Sequence, residues 1–402
     1  MMARSIQGIL QRMIDYHELV SILSVPRPNG SAAVEKTCRT LRDWLDQRGI
    51  GYRTHSFRLY PYFFECIGAW IVLSRTLLAF AIWFRWGWPT LVIALVGLIG
   101  GTFDVRFNLP IISWLGARRG ENILIEFEPL GQAKQEIVLS AHYDSKTELL
   151  DHYGRTFFVL KLRHGIALTV LLGLLGLAEG ILRSFTPAWA DLAFWVGAVL
   201  TLPMLFLAYG LGLNLSLGRL VKPSHGAVDN GAACAILLGL ADRLAKHPSL
   251  VPNTKIIIAL FAGEEANMQG SRAYARRRDW PLPTIALNLE IMAQDGGYIY
   301  WEQDGYAFGL APTSPQVNTL ISEAVQAVTG QPTQPAGPVN SDGFSFLSAG
   351  VPTGVLGTYD SRLHFGGFHR PTDNLDRVVL ARLPEGVEIL SWLLEKYDRQ
   401  ET

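Results

Sequence analysis

Two patterns of hydrophobic and polar positions alternate along the chain, and the first is typical of a soluble α/β domain. Apolar side chains at helical spacing predict a helix over residues 5–23. Ser31 is a candidate N-cap for a second helix that runs to about Gln47. The run from Lys255 to Phe261 is apolar and rich in β-branched residues. It predicts a buried parallel strand, because helices cover both faces of such a strand.

The same pattern predicts further strands and helices in alternation. Strands are predicted over residues 52–59, 122–128, 136–141, 284–290 and 353–356. Helices are predicted over residues 232–246, 271–278, 315–328 and 383–397. This order predicts an α/β fold with a mixed, mostly parallel sheet flanked by helices.

The second pattern is almost entirely apolar and interrupts the first one twice. Residues 66–84 and 90–103 form the first pair of apolar runs, and residues 165–182 and 192–217 form the second pair. A helix needs about 20 apolar residues to cross a bilayer, so each pair predicts a transmembrane hairpin. We therefore expect insertions at residues 61–118 and 161–218 in a soluble domain made of residues 1–60, 119–160 and 219–402.

The composition of the chain changes this picture in two ways. Charged residues make up 17% of the chain, against roughly 25% in soluble domains, and this deficit points to lipid. The formal net charge is zero, so nothing indicates a nucleic-acid partner. The cysteines are far apart and imply no disulfide framework. The polar N-terminal residues do not resemble a secretory signal.

Basic residues are distributed unevenly around the apolar runs. The predicted hairpin tips carry little basic charge beyond Arg85 and Arg183. The ends next to the soluble domain carry more basic residues, namely Arg53, Arg58, Arg106, Arg118, Arg119, Lys161, Arg163, Arg219 and Lys222. Lys and Arg accumulate on the cytoplasmic side of membrane proteins, so we expect an integral membrane protein with a cytoplasmic soluble domain.

Several potential metal ligands follow predicted strands or lie in the loops beyond them: His142, Asp229, Glu265, Glu290 and His369. Imidazole nitrogen and carboxylate oxygen bind zinc readily. Two histidines and three carboxylates are sufficient for two zinc ions if one carboxylate bridges them. Such a pair of ions polarises a carbonyl and activates a water molecule. Glu264 is adjacent to a candidate ligand and is not itself needed for the metal, which makes it the natural general base.

Short segments of the chain resemble, in order, the motifs of the M28 family of co-catalytic zinc peptidases. The segments are His142-Tyr-Asp-Ser145, Val228-Asp229-Asn-Gly-Ala232, Gly263-Glu264-Glu265 with Gly270-Ser271, Asn288-Leu-Glu290, Ser341-Asp342, and Phe368-His369-Arg-Pro-Thr-Asp373. The resemblance covers about residues 15–60 and 120–400. It implies the zinc exopeptidase fold and two zinc ions per chain.

The resemblance also implies a place for each candidate ligand. His142 and Glu290 would hold one zinc ion. Glu265 and His369 would hold the other. Asp229 would bridge the two ions, as the shared carboxylate of the family does.

A supporting residue and two departures from the family pattern complete the prediction. Asp144 would orient the ring of His142. Glu290 stands where family aminopeptidases usually have Asp, and this change leaves carboxypeptidase polarity open. Gly343 replaces the usual His after Ser-Asp, so Asp342 receives no role beyond lining the pocket.

These observations predict a membrane-bound, zinc-dependent exopeptidase, interpreted as an aminopeptidase with Glu264 as general base. Two alternatives stay open. One is a glutaminyl-cyclase-like acyltransferase, a branch that shares the fold and binds one zinc ion. The other is a catalytically inactive membrane scaffold on a peptidase fold.

The position of the second insertion suggests a substrate class. The insertion lies between His142 and Asp229 in the sequence, and both residues belong at the carboxyl edge of the sheet. We therefore expect the zinc centre to face the membrane surface. The expected partners are the lipid bilayer and a hydrophobic or membrane-associated peptide, whose apolar surface favours leaving water. The side-chain preference and the oligomeric state stay open.

Overall fold

The computed structural model describes residues 14–107, 109–276, 279–305 and 309–400. The chain divides into two compact units. The α/β unit contains residues 1–59, 119–146 and 224–402 as far as they are described. The apolar unit contains residues 60–118 and 147–223. It therefore includes residues 147–160, which the hydrophobic pattern places in the soluble domain.

The strands and helices are numbered in chain order. The strands are β1 (Arg53–Leu59), β2 (Arg118–Phe127), β3 (Gln135–His142), β4 (Thr254–Phe261), β5 (Thr284–Glu290), β6 (Tyr298–Trp301), β7 (Gln303–Asp304), β8 (Ala311–Pro312), β9 (Gln334–Ala336) and β10 (Thr353–Thr358). The helices are α1 (Tyr16–Leu23), α2 (Ala32–Gln47), α3 (Phe63–Trp83), α4 (Trp88–Phe107), α5 (His152–Leu160), α6 (Leu162–Leu182), α7 (Pro187–Leu217), α8 (Ala232–Lys246), α9 (Gln269–Ala275), α10 (Pro315–Thr329), α11 (Gly343–Ser348) and α12 (Arg382–Asp398).

Within the described residues, one 8-stranded sheet has the order β1-β2-β4-β3-β5-β10-β6-β9. β3 pairs in parallel with β4 and with β5, and β5 pairs in parallel with β10. β2 runs antiparallel to β4, and β6 runs antiparallel to β10. The predicted α/β fold, with a mixed and mostly parallel sheet flanked by helices, is therefore confirmed.

The central strands of this sheet bring the candidate ligands to one edge. β3 and β5 are buried along their whole length, as their apolar sequences require. His142 is the last residue of β3, and Glu290 is the last residue of β5. His142 is level with Phe261, the last residue of β4, and a turn carries the chain from there to Glu264. Parallel strands end at a common edge, so these segments lie next to one another.

The predicted elements agree with the structure where the pattern is long and regular. α8 and β5 have the predicted bounds, and α10 and α12 differ by a residue or so at their ends. α1 covers residues 16–23 of the first predicted helix, and residues 5–13 lie outside the described residues. The helix predicted over residues 271–278 is α9, and residues 277–278 also lie outside the described residues. The short elements β6 to β9, α5 and α11 had no prediction.

Four helices of the described apolar unit are long and apolar enough to cross a membrane: α3, α4, α6 and α7. α3 has 21 residues, which corresponds to about 31 Å at the rise of an α-helix and matches the roughly 30 Å of a bilayer core. Large apolar side chains of this unit are exposed, with Trp88 at 68% and Phe185 at 78%. Such an exposed apolar surface is typical of contact with lipid or with another protein.

Small residues let α6 approach α4 closely. A Cβ placed on Gly176 would lie 2.5 Å from the Thr90 side chain, and one on Gly180 would lie 2.7 Å from Cα of Gly87. A Cβ on Gly173 would likewise lie within 3.2 Å of side chains of α4. Close backbone approach at small residues is the usual way in which helices associate in a membrane. The four-helix unit therefore packs as membrane helices do.

Ion pairs neutralise the basic residues at the two hairpin tips. Arg85 Nη1 lies 2.8 Å from Asp191 Oδ1 and 3.8 Å from Glu179 Oε1. Arg183 Nη2 lies 2.7 Å from the same Glu179 oxygen. The tips therefore carry little net charge of their own.

We expect the full-length chain to stay in the membrane pellet after alkaline carbonate extraction. Carbonate removes peripheral proteins, whereas four apolar helices of spanning length would have to move from lipid into water. Immunoblotting of pellet and supernatant checks this expectation, with a peripheral and an integral protein of the same membrane as references. Release of most of the chain into the supernatant would rule out true membrane spans.

Candidate metal centre

Two strand ends and one loop form the first group of ligand atoms. His142 Nε2 lies 3.4 Å from Glu290 Oε1 and 3.2 Å from Asp229 Oδ1. All three residues are buried. Glu290 has one methylene more than the Asp usual in the family, and its carboxylate still reaches His142. This departure therefore leaves the group intact.

The second group shares Asp229 with the first. His369 Nε2 lies 3.1 Å from Asp229 Oδ2 and 2.7 Å from Glu265 Oε1. His369 has a φ of 55°, in the left-handed region that non-glycine residues seldom adopt. Such a conformation costs on the order of 1–3 kcal/mol and is found mostly at functional sites. The five predicted ligands thus meet in two groups, with one carboxylate oxygen of Asp229 directed to each histidine.

The distances within both groups fit zinc. Ligands held about 2.0–2.1 Å from a tetrahedral zinc ion are about 3.3–3.4 Å apart, and these groups have 2.7–3.4 Å. Asp229 Oδ1 is buried and accepts no hydrogen bond of good geometry from a described donor, although His142 Nε2 lies 3.2 Å away. Two imidazoles and three carboxylates that converge at these distances are a donor set for zinc.

Asp144 contacts the turn that carries Glu264, residues 263–265, more closely than it contacts the His142 ring. Its carboxylate accepts hydrogen bonds from the backbone N–H groups of Gly263, Glu264 and Glu265 at 3.0–3.3 Å. The nearest Asp144 group to His142 Nδ1 is the backbone carbonyl at 3.2 Å, and Oδ1 is 3.7 Å away. Asp144 is therefore placed to hold the 263–265 turn as well as the histidine ring.

Further polar residues hold the ligands and were missed or left without a role at the sequence level. Asn29 donates to Asp144 Oδ2 at 2.6 Å. Asn288 donates to Glu290 Oε2 at 3.1 Å. The only sequence signal for Asn29 was a polar residue in a Pro- and Gly-containing turn, which turn chemistry explains equally well.

Asp373, at the end of the last motif, fixes the backbone of the shared ligand. Its carboxylate accepts hydrogen bonds from the N–H groups of Val228 at 2.8 Å and Asp229 at 3.4 Å. Burial raises the pKa of Asp373 to about 7, with a further contribution from the charge of Asp229. His225 and His364, which lie near the motifs, belong to none of the ligand groups found among the described residues.

Burial and ion pairing determine the protonation of the centre. Burial opposes the protonation of His142, but its hydrogen bonds with Asp229 and Glu290 raise its pKa well above the usual value. Burial raises the pKa of Glu290 to about 7 and that of Glu264 well above the range of an exposed glutamate. Burial also opposes ionisation of Asp229, but hydrogen bonds with His142 and His369 outweigh it and lower the Asp229 pKa. Asp229 is therefore the carboxylate that stays ionised.

Comparisons with known proteins show what this chain is similar to. Residues 214–390 match the model described as Peptidase family M28. A glutaminyl cyclase from Bacteroides thetaiotaomicron bound to N-acetylhistamine is 13% identical, with 96% of this chain and 97% of that chain covered and a TM-score of 0.54. An aminopeptidase from Aneurinibacillus sp. strain AM-1 is 13% identical, with coverage of 94% and 92% and a TM-score of 0.54. A zinc aminopeptidase from Bacillus subtilis is 12% identical, with coverage of 96% and 96% and a TM-score of 0.55.

A search of curated proteins finds no match. The structural neighbours are distant in sequence and therefore establish the fold alone. The resemblance to the M28 family that the motifs predict is confirmed by the family match. The match of residues 214–390 to Peptidase family M28 supports a metallopeptidase.

We expect zinc affinity to rise steeply between about pH 6 and pH 8. The raised pKa values of His142 and Glu290, the latter about 7, mean that protons occupy these ligands as the pH falls through 7. Zinc requires the deprotonated forms, so protons compete with it at the lower pH. Competition titration with a chromophoric chelator at several pH values checks this, after correction for the chelator's own protonation. An affinity that is flat across this range would contradict the assignment of His142 and Glu290 as ligands.

Proposed function

We propose that this chain, in which residues 214–390 match Peptidase family M28, is a membrane-bound, zinc-dependent aminopeptidase. The observation that carries the proposal is the pair of ligand groups that share Asp229. His142, Asp229 and Glu290 would hold one zinc ion. Asp229, Glu265 and His369 would hold the other. Zinc bound at this centre would polarise the scissile carbonyl and acidify a water molecule.

Glu264 supplies the proton transfers of the proposed reaction. It is 6% exposed, and its Oε2 lies 3.9 Å from His142 Nε2, farther than the ligand atoms. Its raised pKa suits a group that takes a proton from the attacking water and returns it to the leaving amine. Asp144 holds the Glu264 backbone through a hydrogen bond of 3.3 Å and so fixes the position of the base.

The charge around the centre supports aminopeptidase over carboxypeptidase polarity. Asp342 is fully buried, and its two carboxylate oxygens have no hydrogen-bond partner among the described residues. The Ser271 hydroxyl stabilises the ionised form of this carboxylate, but its hydrogen bonds are with Met268 O and Ser345 Oγ. After burial, the charge of Asp342 is one of the causes that raise the pKa values of Glu264 and Glu290. This surplus of acid favours a substrate amino group over a substrate carboxylate.

The cyclase and scaffold alternatives have less support. Glutaminyl cyclases are among the structural neighbours, but a likeness at such identities concerns the fold. A one-zinc centre needs one ligand group, whereas this chain keeps two groups around Asp229. An inactive scaffold would not need the buried base or the five ligand atoms that converge beside it.

We further propose that the substrates are hydrophobic or membrane-associated peptides. The second segment of the apolar unit, residues 147–223, begins a few residues after His142. It ends a few residues before Asp229. Apolar substrate surface gains about 25 cal/mol per Å² on leaving water, so a substrate drawn from the membrane would have an advantage.

A peptide library with free and blocked termini tests the proposed function. The full-length chain in lipid nanodiscs with zinc is incubated with each peptide, and the products are identified by mass spectrometry. Release of N-terminal residues only from peptides with a free amino group supports the aminopeptidase, and faster release from apolar peptides supports the substrate class. Release of C-terminal residues would reverse the polarity. Loss of ammonia from N-terminal glutamine would favour the cyclase, and no product from any peptide would favour the scaffold.

We expect Glu264→Gln to lower kcat by about 10²–10⁴-fold while zinc content and fold are retained. The amide keeps the size of the side chain and cannot accept a proton from water. Glu323→Gln, an exposed position on α10, is the matched control and should keep wild-type turnover. Turnover, zinc by atomic absorption and the unfolding midpoint are measured on the three proteins. Turnover within a few-fold of wild type in Glu264→Gln would reassign the base.

We propose that the α/β unit is cytoplasmic, because basic residues flank the apolar helices and the tip residues Arg85 and Arg183 are neutralised by acids. Single cysteines at Lys222 and at the tip residue Ser184, in a Cys66→Ser background, test this orientation. Cys38 and Cys234 are buried and should stay unlabelled. A membrane-impermeant maleimide should label Lys222→Cys from the cytoplasmic side and Ser184→Cys from the opposite side. The reverse pattern would invert the topology.

A further inference from the structure

Arg27 is a buried cation that takes no part in the proposed chemistry. It lies in the turn between α1 and α2, and its side chain is fully buried. A buried charge costs several kcal/mol unless hydrogen bonds and opposite charges compensate it. The Arg27 guanidinium meets this requirement with backbone carbonyls, and Asp373, Asp144 and Asp229 supply compensating negative charge.

The guanidinium joins two of the three chain segments that carry the ligands of the first zinc group. Its Nε donates to the Tyr143 carbonyl at 2.6 Å, the residue directly after His142. Its Nη1 donates to the His225 carbonyl at 2.7 Å, and its Nη2 donates to the Gly226 carbonyl at 2.8 Å. Residues 225 and 226 lie on the loop that ends at Asp229. One planar group thus connects the end of β3 to the Asp229 loop.

Further hydrogen bonds fix the position of the guanidinium. The backbone N–H of Arg27 donates to Ser145 Oγ at 2.9 Å, and the Ser145 N–H donates to the Arg27 carbonyl at 3.1 Å. Nη1 also donates to the carbonyls of Leu23 and Val25. A Cβ on Gly226 would lie 3.2 Å from Nη2 and 2.6 Å from Ser145, so only a glycine lets the loop come this close. The arrangement leaves little freedom for either segment to move relative to the other.

We propose that Arg27 is a positioning residue that sets the spacing between His142 and Asp229 and thereby the zinc affinity of the first ligand group. The proposal rests on the proposed function only in taking zinc as the metal. His142 Nε2 and Asp229 Oδ1 are 3.2 Å apart, close to the separation that zinc requires. The rigid, planar guanidinium of arginine donates hydrogen bonds in three fixed directions. The ammonium group of lysine is a compact charge whose N–H donors rotate. The role therefore requires arginine in particular, beyond a positive charge.

Arg27→Lys separates this geometric role from a charge effect. Lysine keeps the charge but cannot reach the Tyr143, His225 and Gly226 carbonyls together. We expect zinc affinity to fall about 10–100-fold, the usual effect of losing a residue that orients metal ligands. We also expect the zinc content to fall from two ions per chain towards one after dialysis, because Glu265 and His369 are not contacted by Arg27. Arg243→Lys, at a surface ion pair with Glu388, is the matched control and should bind zinc as wild type does.

Zinc affinity is measured by chelator competition on full-length protein, and folding is checked by the unfolding midpoint of the zinc-free form. Wild-type affinity in folded Arg27→Lys would overturn the proposal. If Arg27→Lys does not fold, Ser145→Ala decides, because it removes one bond to Arg27 without leaving a buried charge unpaired. An affinity several-fold weaker than wild type upholds the proposal, and unchanged affinity overturns it.

The zinc readout keeps this test distinct from that of the proposed function. A wild-type chain that binds zinc but cleaves no peptide would contradict the aminopeptidase and leave the Arg27 test valid. A wild-type chain that binds no zinc would overturn both.

Discussion

The carboxylate of Asp229 faces two imidazoles, and the geometry of the candidate metal centre depends on this contact. Its two oxygens lie 3.2 Å from His142 Nε2 and 3.1 Å from His369 Nε2. These residues come from a strand end, a loop and a segment near the C-terminus, which are far apart in the sequence. Parallel pairing of β3, β4 and β5 brings the ends of these strands to one edge of the sheet. Hydrogen bonds between the backbone of the loops and the side chains of Asp144, Asp373 and Arg27 fix the loops.

Burial makes this centre costly without a metal. Acidic side chains that would ionise readily in water have raised pKa values here, as Glu264, Glu290 and Asp373 do. Each of them would be stabilised by a nearby cation. Two divalent ions would supply that charge, and this is the physical reason why a donor set of this composition and depth points to zinc.

The apolar unit is built by different rules. Helices in a bilayer gain nothing from hiding apolar side chains from lipid and associate through close contacts at small residues, and this unit has such contacts at Gly176 and Gly180. Glu179, a buried acid inside it, is paired with Arg85 and Arg183. One chain thus combines a sheet stabilised by exclusion of water with a helical unit suited to an apolar solvent.

The sequence by itself determined which residues are candidate metal ligands, because metal chemistry restricts the residue types and because strand ends are visible as abrupt changes of pattern. His142, Asp229, Glu265, Glu290 and His369 were predicted in this way, and the structure brings them together. The alternation of apolar and polar positions likewise determined α8, β5 and the two apolar insertions.

Only the tertiary structure decided how these residues are held. Arg27 and Asn29 lie in a turn whose composition indicates a turn and nothing more. Their partners beside the metal centre, Tyr143 and Asp144, are more than 110 positions away. The short strands β6 to β9 were equally invisible, because a few residues are too short to show a period. Long-range contacts of this kind leave no local pattern, since each depends on where another segment of the chain has folded.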